Sequence, residues 1–380
     1  MVVDPSAHRS EASGPGESTD RIIERAALRL LTEGGLLAGL TLQQVGVEAG
    51  VAKALVYHYF GDRQALLRSA LRHGSVELQR AFRAIPYSVY HRRVGVLAQA
   101  ALTYPDAIQL MTLLLIDRDP RLRTMPLREQ TMADFKRDVS EGTLPDGTDL
   151  EALFGVQNAL IYGYVLFREG LARQMEMERP SLDRRFCRLV RAMGRRAAEV
   201  DWSIAPAAVP EPPPARRARP NSSTAHLLEQ AAVDLVEEQG ILAGLNLSKV
   251  AERAGVHRGL VYHYFGSRRE LLLAALRSRL VDEGDPTSQG GVPGDLLFAS
   301  GIRDEEPVRL MALLALDGDD SYEPFGRVTP RFRPTVRHMA GASLALGHSI
   351  YRRSFAGEFG IDLDAWDRRV FAAWARIAPS

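Results

Sequence analysis

The chain has 380 residues, 46% of them apolar and 25% charged, enough for two to four domains with real cores. Its net charge of +1 gives no global field toward nucleic acid or membrane, so any binding face must be local. One cysteine, Cys187, excludes an internal disulfide framework; its place in "RRFCRLV" suits a packed small apolar residue rather than a nucleophile.

Residues 1–17 lack the apolar run of a signal peptide and read as a disordered tail. No stretch reaches the roughly 18 uncharged apolar residues of a membrane span. The composition therefore predicts a cytoplasmic protein with no membrane partner. In 21–33, Ile22, Ile23, Ala26, Ala27, Leu30 and Leu31 recur at helical spacing, with Thr19 as the expected N-cap. Thr41 is positioned to cap a short helix that turns Leu42, Val45 and Ala49 inward. Gly46 within it is a weak helix former, at a cost of about 1 kcal/mol. The Ala49-Gly50-Val51 turn then leads to a second short helix ending at Gly61. Asp62 is the expected cap of a longer helix carrying Leu66, Leu67, Ala70 and Leu71. Two short helices around a glycine turn form the helix-turn-helix pattern, whose second helix enters the major groove.

The same block returns. "LVYHYFG" occurs at 55–61 and at 260–266, and 24 of the 42 residues in 31–72 are identical to those in 236–277. Beyond that block the likeness weakens and the offset falls. "IQLMTLLLIDRD" faces "VRLMALLALDGD" 200 positions on, and "YGYVLFREGLA" faces "LGHSIYRRSFA" 184 positions on. The unit is duplicated and its second copy trimmed. Between the copies, 203–221 hold six prolines. At about 3.1 Å per residue this spacer reaches roughly 59 Å. Its Arg216, Arg217 and Arg219 read as solvated linker charges before phosphate contacts. No sustained alternation predicts a strand, so the expected fold is all-α. The expected organisation is a tail at 1–17, helix-turn-helix domains at 18–72 and 223–277, helical regulatory and pairing domains at 73–202 and 278–380, and a linker at 203–222.

A leading helix, then Thr-x-x-x-Val, Ala-Gly-Val, Leu-Val-Tyr-His-Tyr-Phe and a basic residue before a Leu-Leu helix resemble the tetracycline-repressor (TetR-like) family. The resemblance covers about 18–72 and 223–277. It implies a DNA-binding transcriptional regulator, commonly a ligand-responsive repressor, acting on a double-stranded operator. No cofactor is implied. By this likeness Thr41 and Asn246 contact phosphate. Lys53, Ala54 and Leu55, with Arg258, Gly259 and Leu260, face base edges or the nearby backbone. Tyr57, His58, Tyr262 and His263 reach the groove, and Arg63 and Arg268 hold the backbone. His257 adds a donor where a serine is usual, and Arg258 suits guanine better than Lys53 does. Two unlike half-sites are therefore expected, or equal ones if the shared Tyr-His pair carries most of the specificity.

The family pairs through its last two helices, here about 153–171 with 181–200, and 337–355 with 362–378. Their packing predicts an intramolecular four-helix bundle, with pairing of two chains as the other option. An apolar or amphipathic effector is expected in the first unit, with Tyr87, Tyr90, Tyr104, Met111, Phe135, Tyr162 and Phe167 as candidate lining or plain core. The second unit is expected to hold a smaller pocket or none, being trimmed and interrupted by "EGDPTSQGGVPGD". Two other classes stay open. The Asp117/Asp317 and Asp119/Asp319 pairs suggest either metal ligands of an enzyme or turn residues, and the heads could serve a non-DNA interaction.

Overall fold

The computed structural model describes residues 18–34, 40–83, 87–204, 208–211, 223–239, 246–282, 294–320, 322–325 and 332–379. The expected tail, the linker arginines and residues 283–293 of the interrupting insertion lie outside them. The described residues form seventeen helices and no strand; the fold is all-α.

The first head consists of α1 (Thr19–Gly34), α2 (Leu42–Ala49) and α3 (Lys53–Phe60), with α4 (Arg63–Arg83) running on toward the body. The apolar spacing read from the sequence places Ile23, Ala26, Ala27, Val45, Val56, Leu66 and Leu67 in one core. In the second head α10 (Thr224–Gln239), α11 (Leu247–Arg253), α12 (Arg258–Phe265) and α13 (Arg268–Asp282) repeat this. The expected caps of the leading helices shift by one residue. Thr19 and Thr224 are the first helical residues, and the carbonyls of Ser18 and Ser223 open the helices instead. Ser223 Oγ accepts the His226 N–H at 3.3 Å, the reach of a cap oxygen being two or three residues along the chain.

The first body comprises α5 (Tyr90–Thr103), α6 (Pro105–Ile116), α7 (Arg128–Ser140), α8 (Leu150–Gln174) and α9 (Arg179–Glu199). The second comprises α14 (Gly294–Arg303), α15 (Glu306–Leu316), α16 (Val336–Phe359) and α17 (Leu363–Ile377). Among the described residues α8 is the one helix long and apolar enough to cross a membrane, and 78% of its most apolar stretch is buried in the protein.

What covers α8 is α16. At their crossing a Cβ added to Gly163 would lie 2.0 Å from the Ser343 carbonyl oxygen, and one added to Gly347 would lie 1.9 Å from that of Ala159. Gly163 and Gly347 are equivalent positions of the two copies, as are Ala159 and Ser343. The two backbones thus meet about a pseudo-twofold axis that only glycine permits. Aromatic rings close the flanks: Tyr162 against Tyr351 at 5.2 Å, and Phe167 against Tyr322 at 5.6 Å. Polar ties surround them, with Arg369 bridging Asp149 at 2.6 Å and Glu151 at 2.7 Å, and Thr124 Oγ1 donating to Glu358 at 2.7 Å. Helices α9 and α17 complete the packing.

The recurring aspartates join head to body. Gln64 donates to Asp117 Oδ2 at 2.6 Å and Arg68 pairs with the buried Asp119, whose Oδ1 also accepts the Arg121 N–H at 2.9 Å. In the second unit Arg269 takes Asp317 at 2.6 Å and Arg277 takes Asp319. These carboxylates hold head side chains and a turn, and among the described residues no group of three His, Cys, Asp or Glu is placed for a metal ion.

Beneath α16, His348 Nε2 meets Asp367 Oδ1 at 2.7 Å, and Arg352 binds the same carboxylate and Glu305. In the first copy the equivalent pair is Tyr164 and Asp183, with the phenol donating at 2.8 Å.

Two outcomes follow. Gly163→Ala or Gly347→Ala forces the backbones apart and lowers stability by at least about 2 kcal/mol in urea unfolding. Burial holds His348 below its ordinary value of 6.5, so the folded ring stays neutral where the unfolded ring takes a proton. Stability is then complete above about pH 6.5 and falls as pH drops below it. Asp367 is held below 3.8 by His348 and Arg352, and its effect lies at lower pH. Thermal unfolding at pH 7.5 and 5.5 should show the loss. His348→Gln should reduce it without abolishing it, since burial shifts His91 and His338 the same way.

Candidate nucleic-acid interface

In the first head Thr41 forms a capping box: its Oγ1 accepts the Gln44 N–H at 3.2 Å, and Gln44 Oε1 accepts the Thr41 N–H at 3.1 Å. Gly50, at φ 69°, ends α2 in the left-handed region, and Val51 N–H closes the turn on Gly46 O at 2.8 Å. A Cβ at Gly46 would lie 2.9 Å from the Val51 carbonyl oxygen, yet the second head closes the same turn with Ala251 at that position, Val256 N–H reaching Ala251 O at 2.9 Å.

Helix α3 buries Val56 and leaves Lys53, Ala54, Tyr57 and His58 on the surface, with Leu55 half-buried. Tyr57 is 50% exposed, and the Lys53 ammonium lies over its ring at 5.6 Å. The second head repeats the arrangement. Asn246 caps α11 by accepting the Ser248 N–H at 2.9 Å, Val261 is buried, and Tyr262 is 48% exposed. The Arg258 guanidinium lies over the Tyr262 ring at 5.8 Å and donates to its hydroxyl at 3.3 Å. Arg258, Gly259 and His263 are exposed, and Leu260 is half-buried. Each head thus presents a cation held against a tyrosine at the start of an exposed helix face. Tyr59 and Tyr264 are exposed too, at 46% and 48%.

Two features stand apart from this face. Arg63 donates to the Leu40 carbonyl at 3.1 Å, tying α4 to the chain before α2. Burial, helped by the nearby Arg63 charge, pushes Arg268 down to about 10, still a cation at neutral pH. The Glu48/Arg253 difference between copies is compensated inside each head, Arg29 holding Glu48 and Glu238 holding Arg253, both at 2.8 Å.

The candidate effector residues scatter. Phe135 borders a cavity between α5, α7 and α8, with Tyr90, Arg93, Leu97, Leu127 and Gln157. Tyr87 donates to Asp138 and Glu141, Tyr104 packs beside Leu71, and Met111 is core. Tyr162 and Phe167 face the other unit across the crossing, because α8 turns that side toward α16 rather than inward. An apolar crevice lies where the second head meets α15 and Ile116. Burial pushes the Cys187 thiol above its ordinary value, as suits packing. Gly46→Ala is expected to raise the protection of α2 amides in hydrogen exchange, since alanine is the better helix former and Ala251 stands in the same turn of the second head.

The family described as bacterial regulatory proteins, tetR family, matches residues 23–70 and again 228–275. HTH-type transcriptional regulator BetI 1 of Chromohalobacter salexigens is 37% identical over 67 residues, 18% of this chain and 33% of that protein. BetI of Rhizobium meliloti is 45% identical over 53 residues, 14% and 26% of the two chains. BetI of Burkholderia ambifaria is 35% identical over 94 residues, 25% and 44%. The chain spans less than half the length of each of these curated relatives. Two domains that match the tetR family of bacterial regulatory proteins stand in tandem on this one chain.

Proposed function

We propose that the chain is a DNA-binding transcriptional regulator in which two unlike heads on one polypeptide read two unequal half-sites of one operator. The observation that carries this reading is the matched pair of exposed faces, Lys53 over Tyr57 and Arg258 over Tyr262, on heads whose bodies pack through α8 and α16. Helix-turn-helix dimers set two reading helices about 34–36 Å apart, one DNA turn. Here the glycine crossing gives one chain the two-fold arrangement that two chains otherwise supply. Linkage raises the effective concentration of the second head to about millimolar and leaves each free to differ. The relatives named as transcriptional regulators support the same reading.

Repression relieved by a small ligand fits the first body. The cavity there, about 40 Å³, has walls from Tyr90, Leu97, Leu127 and Phe135 and from the polar Arg93, Gln130, Thr131 and Asp134, and Gln157 Oε1 is buried beside them without a hydrogen-bond partner. It holds a water-sized group as it stands, so an amphipathic effector with a donor for Gln157 would enter by parting those walls. The Gln64–Asp117 and Arg68–Asp119 contacts join the adjacent body to the head, a route for a coupling of about 1–3 kcal/mol.

Selection from randomised duplex DNA with full-length protein is the test. Enrichment of one site with two different halves one turn apart is expected. A solution mass near 41.9 kDa should accompany it, whereas twice that mass would mean four heads. No enrichment at low salt would replace DNA reading with a protein-interaction role for the heads.

A further inference from the structure

The two reading helices begin differently. In the first head Ala52 precedes α3 and supplies no side-chain cap. In the second, His257 Nδ1 accepts the Gly259 N–H at 3.1 Å. A ring nitrogen that accepts carries no proton, so the neutral imidazole bears its hydrogen on Nε2. The cap therefore selects the tautomer and the ring orientation together. Gly259 belongs to the same device. A Cβ at that position would come 3.2 Å from Nδ1, tighter than an undistorted cap allows, and the first head carries Ala54 there. The sequence differences Ala52/His257 and Ala54/Gly259 thus act as one exchange rather than two.

We infer that His257 is a base-reading residue that the second head possesses and the first lacks, its Nε2–H donating to a hydrogen-bond acceptor on a base edge in the major groove. This rests on the DNA-binding reading above. The ring is exposed, and the N-terminal residues of a reading helix are those that meet base edges. A donor recognises purine N7, guanine O6 or thymine O4, and meets no partner at the cytosine or adenine amino group. Arg258, adjacent to it, is committed to Tyr262 by ring stacking and the hydroxyl contact, so the two side chains leave the helix start in different directions. The second half-site gains one specified base pair that the first does not have.

The experiment repeats the duplex selection with wild type, His257→Ala, His257→Asn and the double variant Ala52→His, Ala54→Gly. His257→Asn retains an oxygen for the cap but lacks the reach of Nε2, which separates reading from helix capping. His257→Ala and His257→Asn should both lose about fivefold to tenfold preference at one base pair of one half-site. The double variant should acquire a like preference in the other half-site. A uniform loss of affinity across all sequences, a loss in the alanine variant alone, or unchanged selection would each overturn the inference while leaving DNA reading intact. Failure of the wild type to select any duplex would remove the function and the inference together.

Discussion

The close approach of two backbones at Gly163 and Gly347 is the contact on which the arrangement of this protein depends. Side chains normally keep packed helices 8–10 Å apart, and a methyl group at either position would overlap a carbonyl oxygen of the other helix. Because the two glycines are equivalent positions of the duplicated unit, the crossing also defines the pseudo-twofold relation between the copies. The rings of Tyr162, Tyr351 and Phe355 pack beside it, and the ion pairs of Arg369 close its edge.

Pseudo-symmetry here is strict where packing demands it and loose elsewhere. Val56 and Val261 are both buried, and Gly50 and Gly255 both take positive φ, because each head must close the same turn. Buried polar positions keep their role but change their chemistry: Tyr164 with Asp183 becomes His348 with Asp367, and Gln64 with Asp117 becomes Arg269 with Asp317. Such exchanges satisfy the same carboxylate with a different donor, so the fold tolerates them while the charge balance of each half differs. The heads follow the same logic, retaining the cation-over-tyrosine stack and varying the residues around it.

Charge compensation separates structural differences from differences that face outward. Glu48 and Arg253 differ in sign, yet each has its partner on the leading helix of its own head. His257, Arg258 and Gly259 differ from Ala52, Lys53 and Ala54 with no matching change in the core behind them, since Val56 and Val261 are buried alike. The first kind of difference keeps a head folded; the second changes what its surface offers.

The duplication, the all-helical class and the helix-turn-helix order were legible in the sequence, because periodic apolar residues and turn glycines act locally. So was Thr41 as a cap, since a cap is set within three residues, while Asn246, read for phosphate, turns out to cap its helix as well. The tie of Arg63 to the Leu40 carbonyl was not legible, since it joins residues far apart in sequence. Likewise Tyr162 and Phe167 read as candidate lining, but helical spacing cannot say which neighbour a face meets, and here it meets the other copy. Gly46 reads as a weak helix former in the sequence, and the second head places Ala251 in the same turn. Sequence determined what each segment forms and where it repeats; tertiary structure decided which buried faces meet, because that depends on distances between residues far apart along the chain.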